Sequence, residues 1–242
     1  MPLRLDRDDL VARTIEANLA TICLDTCSIL DLARDPARTN ITPQEQASSL
    51  FLLSQAEQGN LLSVTSERVA DEHSRNITQV QNETEAGVNA ILNGTDQTDI
   101  AKLQHLSSIF GITSSDSEAI RSDYAAITSD MSKKWLIASN AIRESRQDST
   151  RASSRVVNNL APSHRAGDSY SDCVILECYL SFVEECRVGG LPQETRIVFV
   201  SSNVRDFTRF GVLHSDLALS FGSLGMSYAA NMVDASRILF PT

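Results

Sequence analysis

Short apolar runs separated by amphipathic stretches occupy both ends of the chain, with a long polar stretch between them. Thr21-Ile22-Cys23-Leu24 is almost wholly apolar and runs into Asp25. Such a run suits a strand buried on both faces of a parallel sheet. Leu61-Leu62-Ser63-Val64-Thr65 and Arg196-Ile197-Val198-Phe199-Val200-Ser201 read the same way, and residues 226–230 add an edge strand. Helical stripes lie between these runs. Val11, Ile15 and Leu19 follow a cap at Asp9, and a short helix over 28–34 stops before Pro36. Thr42-Pro43 opens a helix carrying Ala47, Leu50, Phe51 and Ser54, which Gly59 ends. Ser66 caps a helix striped by Val69, His73, Ile77 and Val80. Asp172 heads an apolar helix to Leu180, and residues 214–224 form a last helix before Gly225. Strands alternating with helices, without hairpin signals, predict an α/β fold of three layers, α/β/α, around a central parallel sheet.

Residues 1–80 and 161–242 carry that pattern, whereas 81–160 do not. This middle stretch is polar and helix-compatible, with stripes of Leu103, Leu106 and Phe110 and of Trp135, Ile137, Ala138 and Ile142. It reads as a helical insertion, with helices over 96–110 and, in one or two pieces, 117–160. Ser, Arg, Gln and Asp dominate 144–154, which stays open between helix and disorder.

Composition narrows the classes. The 242 residues are 42% hydrophobic, ample for a packed core. There is no run of 18 apolar residues and no apolar segment near Met1, so the reading is a cytoplasmic protein outside the membrane. Five cysteines without C-x-x-C argue against a disulfide framework or a zinc site. Cys23, Cys173, Cys178 and Cys186 read as small core residues. The four histidines show no paired ligand spacing. Net charge is −10, yet residues 131–165 hold 7 Lys/Arg against 2 Asp/Glu. Lys133, Lys134, Arg143, Arg146, Arg151, Arg155 and Arg165 form a broken basic stripe. It can guide a polyanion, or it can be a solvated face balancing acidic neighbours.

Two carboxylates fall just after strand ends, Asp25 and Asp206, and two near helix starts, Glu72 and Asp172. In a parallel sheet these junctions share one edge, where open α/β sheets bind ligands. Like charges about 4 Å apart cost about 4 kcal/mol at an effective dielectric of 20. A hard divalent cation such as Mg²⁺ or Mn²⁺ would relieve that repulsion. The same acids also read as ordinary helix caps.

Leu24-Asp25-Thr26, Glu72 within Val69-Ala70-Asp71-Glu72, Asp172 at the head of its helix, and Ser201-Ser202-Asn203-Val204-Arg205-Asp206-Phe207 together resemble the PIN domain family. Asp168-Ser169-Tyr170-Ser171-Asp172 and Leu213-His214-Ser215-Asp216-Leu217 resemble its bacterial, insertion-bearing branch. The likeness covers about 20–80 and 160–235. It implies a PIN-type Mg²⁺- or Mn²⁺-dependent nuclease, most often cutting RNA. Asp25, Glu72, Asp172 and Asp206 would then be metal ligands, with Thr26, Ser201 and Asn203 in support. Cys27 stands where many members carry Asn. Glu177 lies five residues past Asp172, about 140° around a helix, and is placed behind the ligands. Asp168 would substitute if Asp172 is only a cap. Arg146, Arg151, Arg155 and Arg165 would bind substrate.

Two other phosphoryl chemistries fit poorly. A haloacid-dehalogenase-type site needs an Asp where Cys27 stands, and a receiver domain needs a preceding acidic pair and a late lysine. The alternative of another class is a catalytically weak PIN-like module that binds RNA or protein. Toxin, phage-defence and processing roles stay open, as do an antitoxin, another protein partner or a second copy of the chain.

Overall fold

The structure is a computed structural model that describes residues 3–4, 6–112, 117–164 and 169–241. Its first half runs β1 (Leu3–Arg4), α1 (Arg7–Ala17), β2 (Thr21–Leu24), α2 (Thr26–Leu30), a 3₁₀ turn (Asp31–Ala33), α3 (Pro43–Glu57), β3 (Leu62–Ser66) and α4 (Glu67–Asn93). Then come α5 (Gln97–Ile109), α6 (Ser117–Ala138), β4 (Asn140–Ile142), α7 (Arg146–Val157) and α8 (Tyr170–Val188). The chain finishes with β5 (Ile197–Val200), α9 (Val204–Phe207), β6 (Thr208–Arg209), β7 (Val212–Leu213), α10 (Ser215–Leu224), β8 (Met226–Ala229) and α11 (Met232–Leu239).

Local chemistry starts these helices where the side chains can satisfy the free N–H groups. Thr42 accepts from Glu45 N, Ser66 from Val69 N and Asp96 from Thr98 N. Helix α1 begins earlier than its apolar stripe implies, with Asp6 at the cap and Asp9 inside the first turn. The stretch left open at 144–154 is helical. Ser145 and Asp148 form a reciprocal capping box that starts α7.

Six strands pair in the order β1-β4-β3-β2-β5-β8, every pair parallel. The fold is a three-layer α/β/α arrangement around this parallel sheet. β2, β3 and β5 are buried along their whole length, as near-continuous apolar strands in a parallel sheet should be. β6 and β7 form a small antiparallel hairpin that no turn signal in the sequence announced.

The stretch 81–160 joins the same core. Leu103, Leu106, Phe110 and Trp135 belong to one buried cluster with Ile22, Val64 and Phe199. Trp135 Nε1 donates to Ser49 Oγ at 3.1 Å. Helix α4 runs unbroken through residue 80, and β4, inside the stretch expected to be helical, sits in the sheet between β1 and β3. Three residues, Asn140-Ala141-Ile142, are too few to show a period of two, so only pairing with β3 makes them a strand.

One buried phenol fixes the edge where the acids gather. Tyr179 Oη, on α8, donates to Leu24 O at 2.6 Å and accepts from Ser66 N at 3.0 Å. It thereby ties the ends of β2 and β3 to one helix, immediately before Asp25 and the start of α4.

Candidate active site

Asp25 leaves the end of β2 as the cap of α2 and is only 4% exposed. Asp25 is a helix cap, one of the two readings its sequence allowed, and the cap bond to Thr26 N (2.7 Å) uses one oxygen only. Oδ2 accepts from Ser201 Oγ at 2.6 Å and from Cys27 Sγ at 3.1 Å. Burial holds this carboxyl above the ordinary aspartate range; the bonds from Ser201, Cys27 and Thr26 pull it back, and the charge of Glu72 pushes it further up. Burial likewise pushes the Cys27 thiol up, so it stays protonated and able to donate.

Thr26 links two acids. Its N–H serves Asp25, and its Oγ1 donates to Glu72 Oε2 at 2.6 Å. The other Glu72 oxygen accepts from Ser171 Oγ in the first turn of α8. Asp172, next to that serine, is half-buried. Asp25, Glu72 and Asp172 line one cleft of about 520 Å³ with Thr26, Cys27 and Asn203. Asp206 is not among the lining residues. It accepts from Asn203 Nδ2 at 2.6 Å, so Asn203 connects it to the cleft wall. Ser201 is anchored in turn, its carbonyl accepting from Tyr228 Oη at 2.8 Å.

The cleft contains charged residues that no motif pointed to. Asp31, Arg34 and Arg38 line it, and Arg34 Nε lies 3.3 Å from Asp31 Oδ1. Burial raises the Asp31 carboxyl, against bonding from Ser202 and the charges of Arg34 and Arg38. The i, i+3 spacing of Asp31 and Arg34 was visible, but nothing in the sequence said that the 3₁₀ turn faces the acids. Among the described residues, Arg34 and Arg38 are the cations that line the cleft, and none of the basic stripe does.

That stripe is largely spent on the protein itself. Arg155 is buried; its Nε bonds Glu177 Oε1, and its Nη1 reaches Asp216 Oδ2 at 3.1 Å and Ala161 O at 2.9 Å. Arg151 pairs with Glu184 at 3.0 Å, Lys133 with Asp130 at 3.0 Å and Arg143 with Glu67 at 3.9 Å. Arg146 is exposed at the start of α7. Glu177, only 5% exposed, faces Arg155 and does not line the cleft. Arg165 and Asp168 lie outside the described residues. All five cysteines are free, and the four read as core are buried.

Among the described residues no three His, Cys, Asp or Glu side chains come together as a ready-made metal group. No helix among them is long and apolar enough to cross a membrane.

A parallel sheet between layers of helices, with Asp25, Glu72 and Asp172 lining one cleft, defines an α/β domain whose acids lie at the edge where such sheets place ligands. A family model described as PIN domain matches residues 22–207, a span that includes Asp25, Glu72, Asp172 and Asp206. The chain belongs to the PIN domain family, whose members are usually nucleases. No curated protein and no solved structure gave a match to the chain.

Proposed function

We propose that this protein is a metal-dependent endonuclease, acting on RNA, that uses a divalent cation held by carboxylates in the cleft. One observation carries the reading. Asp25 and Glu72 are neighbours joined through Thr26, and among the described residues every donor they meet is neutral: a backbone N–H, three hydroxyls and a thiol. Neutral donors orient carboxylates but do not cancel two adjacent negative charges. An all-oxygen, uncompensated pair suits a hard cation.

Asp25 and Glu72, with Asp172 in the same cleft, would hold Mg²⁺ or Mn²⁺. Two carboxylates are enough for Mg²⁺, which keeps several waters and completes its shell with substrate phosphate oxygens. When bound, the cation activates water and neutralises charge on a phosphoryl oxygen. The protein's own part is positional. Ser201 and Cys27 lock the Asp25 side chain, and Thr26 and Ser171 lock Glu72. Asn203, which lines the cleft, holds Asp206 by a hydrogen bond and so links a further negative charge to the cleft wall. Arg34 and Arg38 offer charge to the phosphates beside the scissile bond.

The second reading, a catalytically weak binding module, is favoured by the lack of a three-carboxylate group among the described residues. One experiment separates the two. End-labelled single-stranded RNA, DNA and duplex RNA are incubated with wild type and Asp25→Asn in Mg²⁺, Mn²⁺ or EDTA. The nuclease reading expects RNA fragments from wild type in metal only. Tight binding without fragments under every condition would leave the module.

A further inference from the structure

The β6–β7 hairpin joins Arg209 to Val212 through a two-residue loop, Phe210-Gly211. Both loop residues have positive φ, 53° and 77°. Two such residues make the turn of the type I′ class, which calls for Asn-Gly, Asp-Gly or Gly-Gly. Here the first place is held by Phe. A bulky side chain rarely adopts that backbone, and such outliers concentrate at functional positions. Phe210 gains nothing from the fold in return, since it is 94% exposed.

Its neighbours are cationic. The Arg209 guanidinium lies over the Phe210 ring, 5.4 Å from its centroid. Arg205, one turn earlier, is also exposed, and among the described residues neither arginine pairs with a carboxylate. In this they differ from Arg151 and Arg155. The hairpin follows α9 directly, and Asn203, which caps α9, lines the acidic cleft. Seven residues of chain place Phe210 no farther than about 25 Å from Asn203.

We infer that Phe210 is a base-stacking finger for single-stranded nucleic acid, with Arg205 and Arg209 contacting the adjacent phosphates. An exposed aromatic backed by arginines, within about 25 Å of a residue that lines the acidic cleft, is the kind of surface on which unpaired bases stack. The cations favour a polyanion over an apolar protein partner as the occupant. The inference rests on the nucleic-acid reading of the cleft and sharpens it to unpaired strands.

The test uses the full chain in EDTA and a fluorescent oligouridine RNA of about 12 nucleotides, read by anisotropy. Phe210→Asn places a residue suited to the turn, so its Tm should equal or exceed that of wild type, while affinity falls about tenfold. Phe210→Trp should keep the affinity. Arg205→Gln and Arg209→Gln should each flatten the slope of log K against log salt by about 0.7. Undiminished affinity in Phe210→Asn overturns the finger and assigns the ring to a protein partner; failure of wild type to bind the oligonucleotide overturns it as well. The nuclease reading is judged separately, by metal-dependent cleavage. Stacking without any cleavage would sink that reading and leave the finger standing.

Discussion

Two buried carboxylates, Asp25 and Glu177, are almost equally hidden, at 4% and 5% exposure, yet their surroundings are opposite. Glu177 faces the guanidinium of Arg155, which also holds Asp216 and a backbone carbonyl. Asp25 faces a serine, a thiol and an amide, with Glu72 close by to add repulsion. Burying a charge is costly, and pairing it with an opposite, hydrogen-bonded charge is how a fold makes it tolerable. The Arg155 network follows that rule and reads as architecture. The Asp25 cluster departs from it, which makes sense when a cation from solution completes it. A buried acid therefore says little by itself; what distinguishes the two regions is whether the protein supplies its counter-charge.

The strongest way to break this comparison is Asp25→Asn. Cleavage should drop about a thousandfold, equivalent to about 4 kcal/mol of barrier, with the metal-free protein as stable as wild type or more so. A steep loss of Tm instead would make Asp25 a structural cap. pH gives the same contrast. The folded-state pKa of Asp25 is raised, so its favourable contribution is full below the unfolded value and is lost as pH rises through the folded value. Stability of the metal-free protein should therefore fall as pH rises from the acid side. Asp25→Asn should make that fall shallower without abolishing it, because Asp31 and Glu45 are raised by burial too.

Arg155→Met should do the reverse. It strands Glu177 beside Asp216, and denaturant melts should show a loss of about 3 kcal/mol. Activity per folded molecule should be nearly unchanged. Selective loss of RNA affinity without destabilisation would return Arg155 to the substrate.

Addition of Mg²⁺ or Mn²⁺ should stabilise wild type by about 2.7 kcal/mol at a hundred times the dissociation constant. Asp25→Asn should show little of this shift, and Arg155→Met should keep it. An equal shift in all three would place the metal elsewhere.

The smallest effect belongs to Cys27. Cys27→Ala removes one weak donor from Asp25 and should slow cleavage only several-fold, with Cys27→Asn restoring or exceeding wild type. Abolished activity in Cys27→Ala would give the thiol a larger role than orientation.

The sequence alone determined the parts whose physics is local. Period and apolarity marked β2, β3 and β5, caps marked α3 and α4, and a strand-to-acid junction marked Asp25. These are readable because hydrogen-bond periodicity and capping operate within a few residues. Only the tertiary structure decided what lies across the sheet edge from what. It drew β4 out of an apparently helical stretch, turned Asp31, Arg34 and Arg38 into the cleft, and set Asp206 behind Asn203. It also took Arg155 and Glu177, which the sequence offered separately as a substrate contact and a support for the site, and paired them with each other. The reason is range. Side-chain type and spacing say that a charge exists, but its partner is chosen by packing between residues 22 positions apart on two different helices.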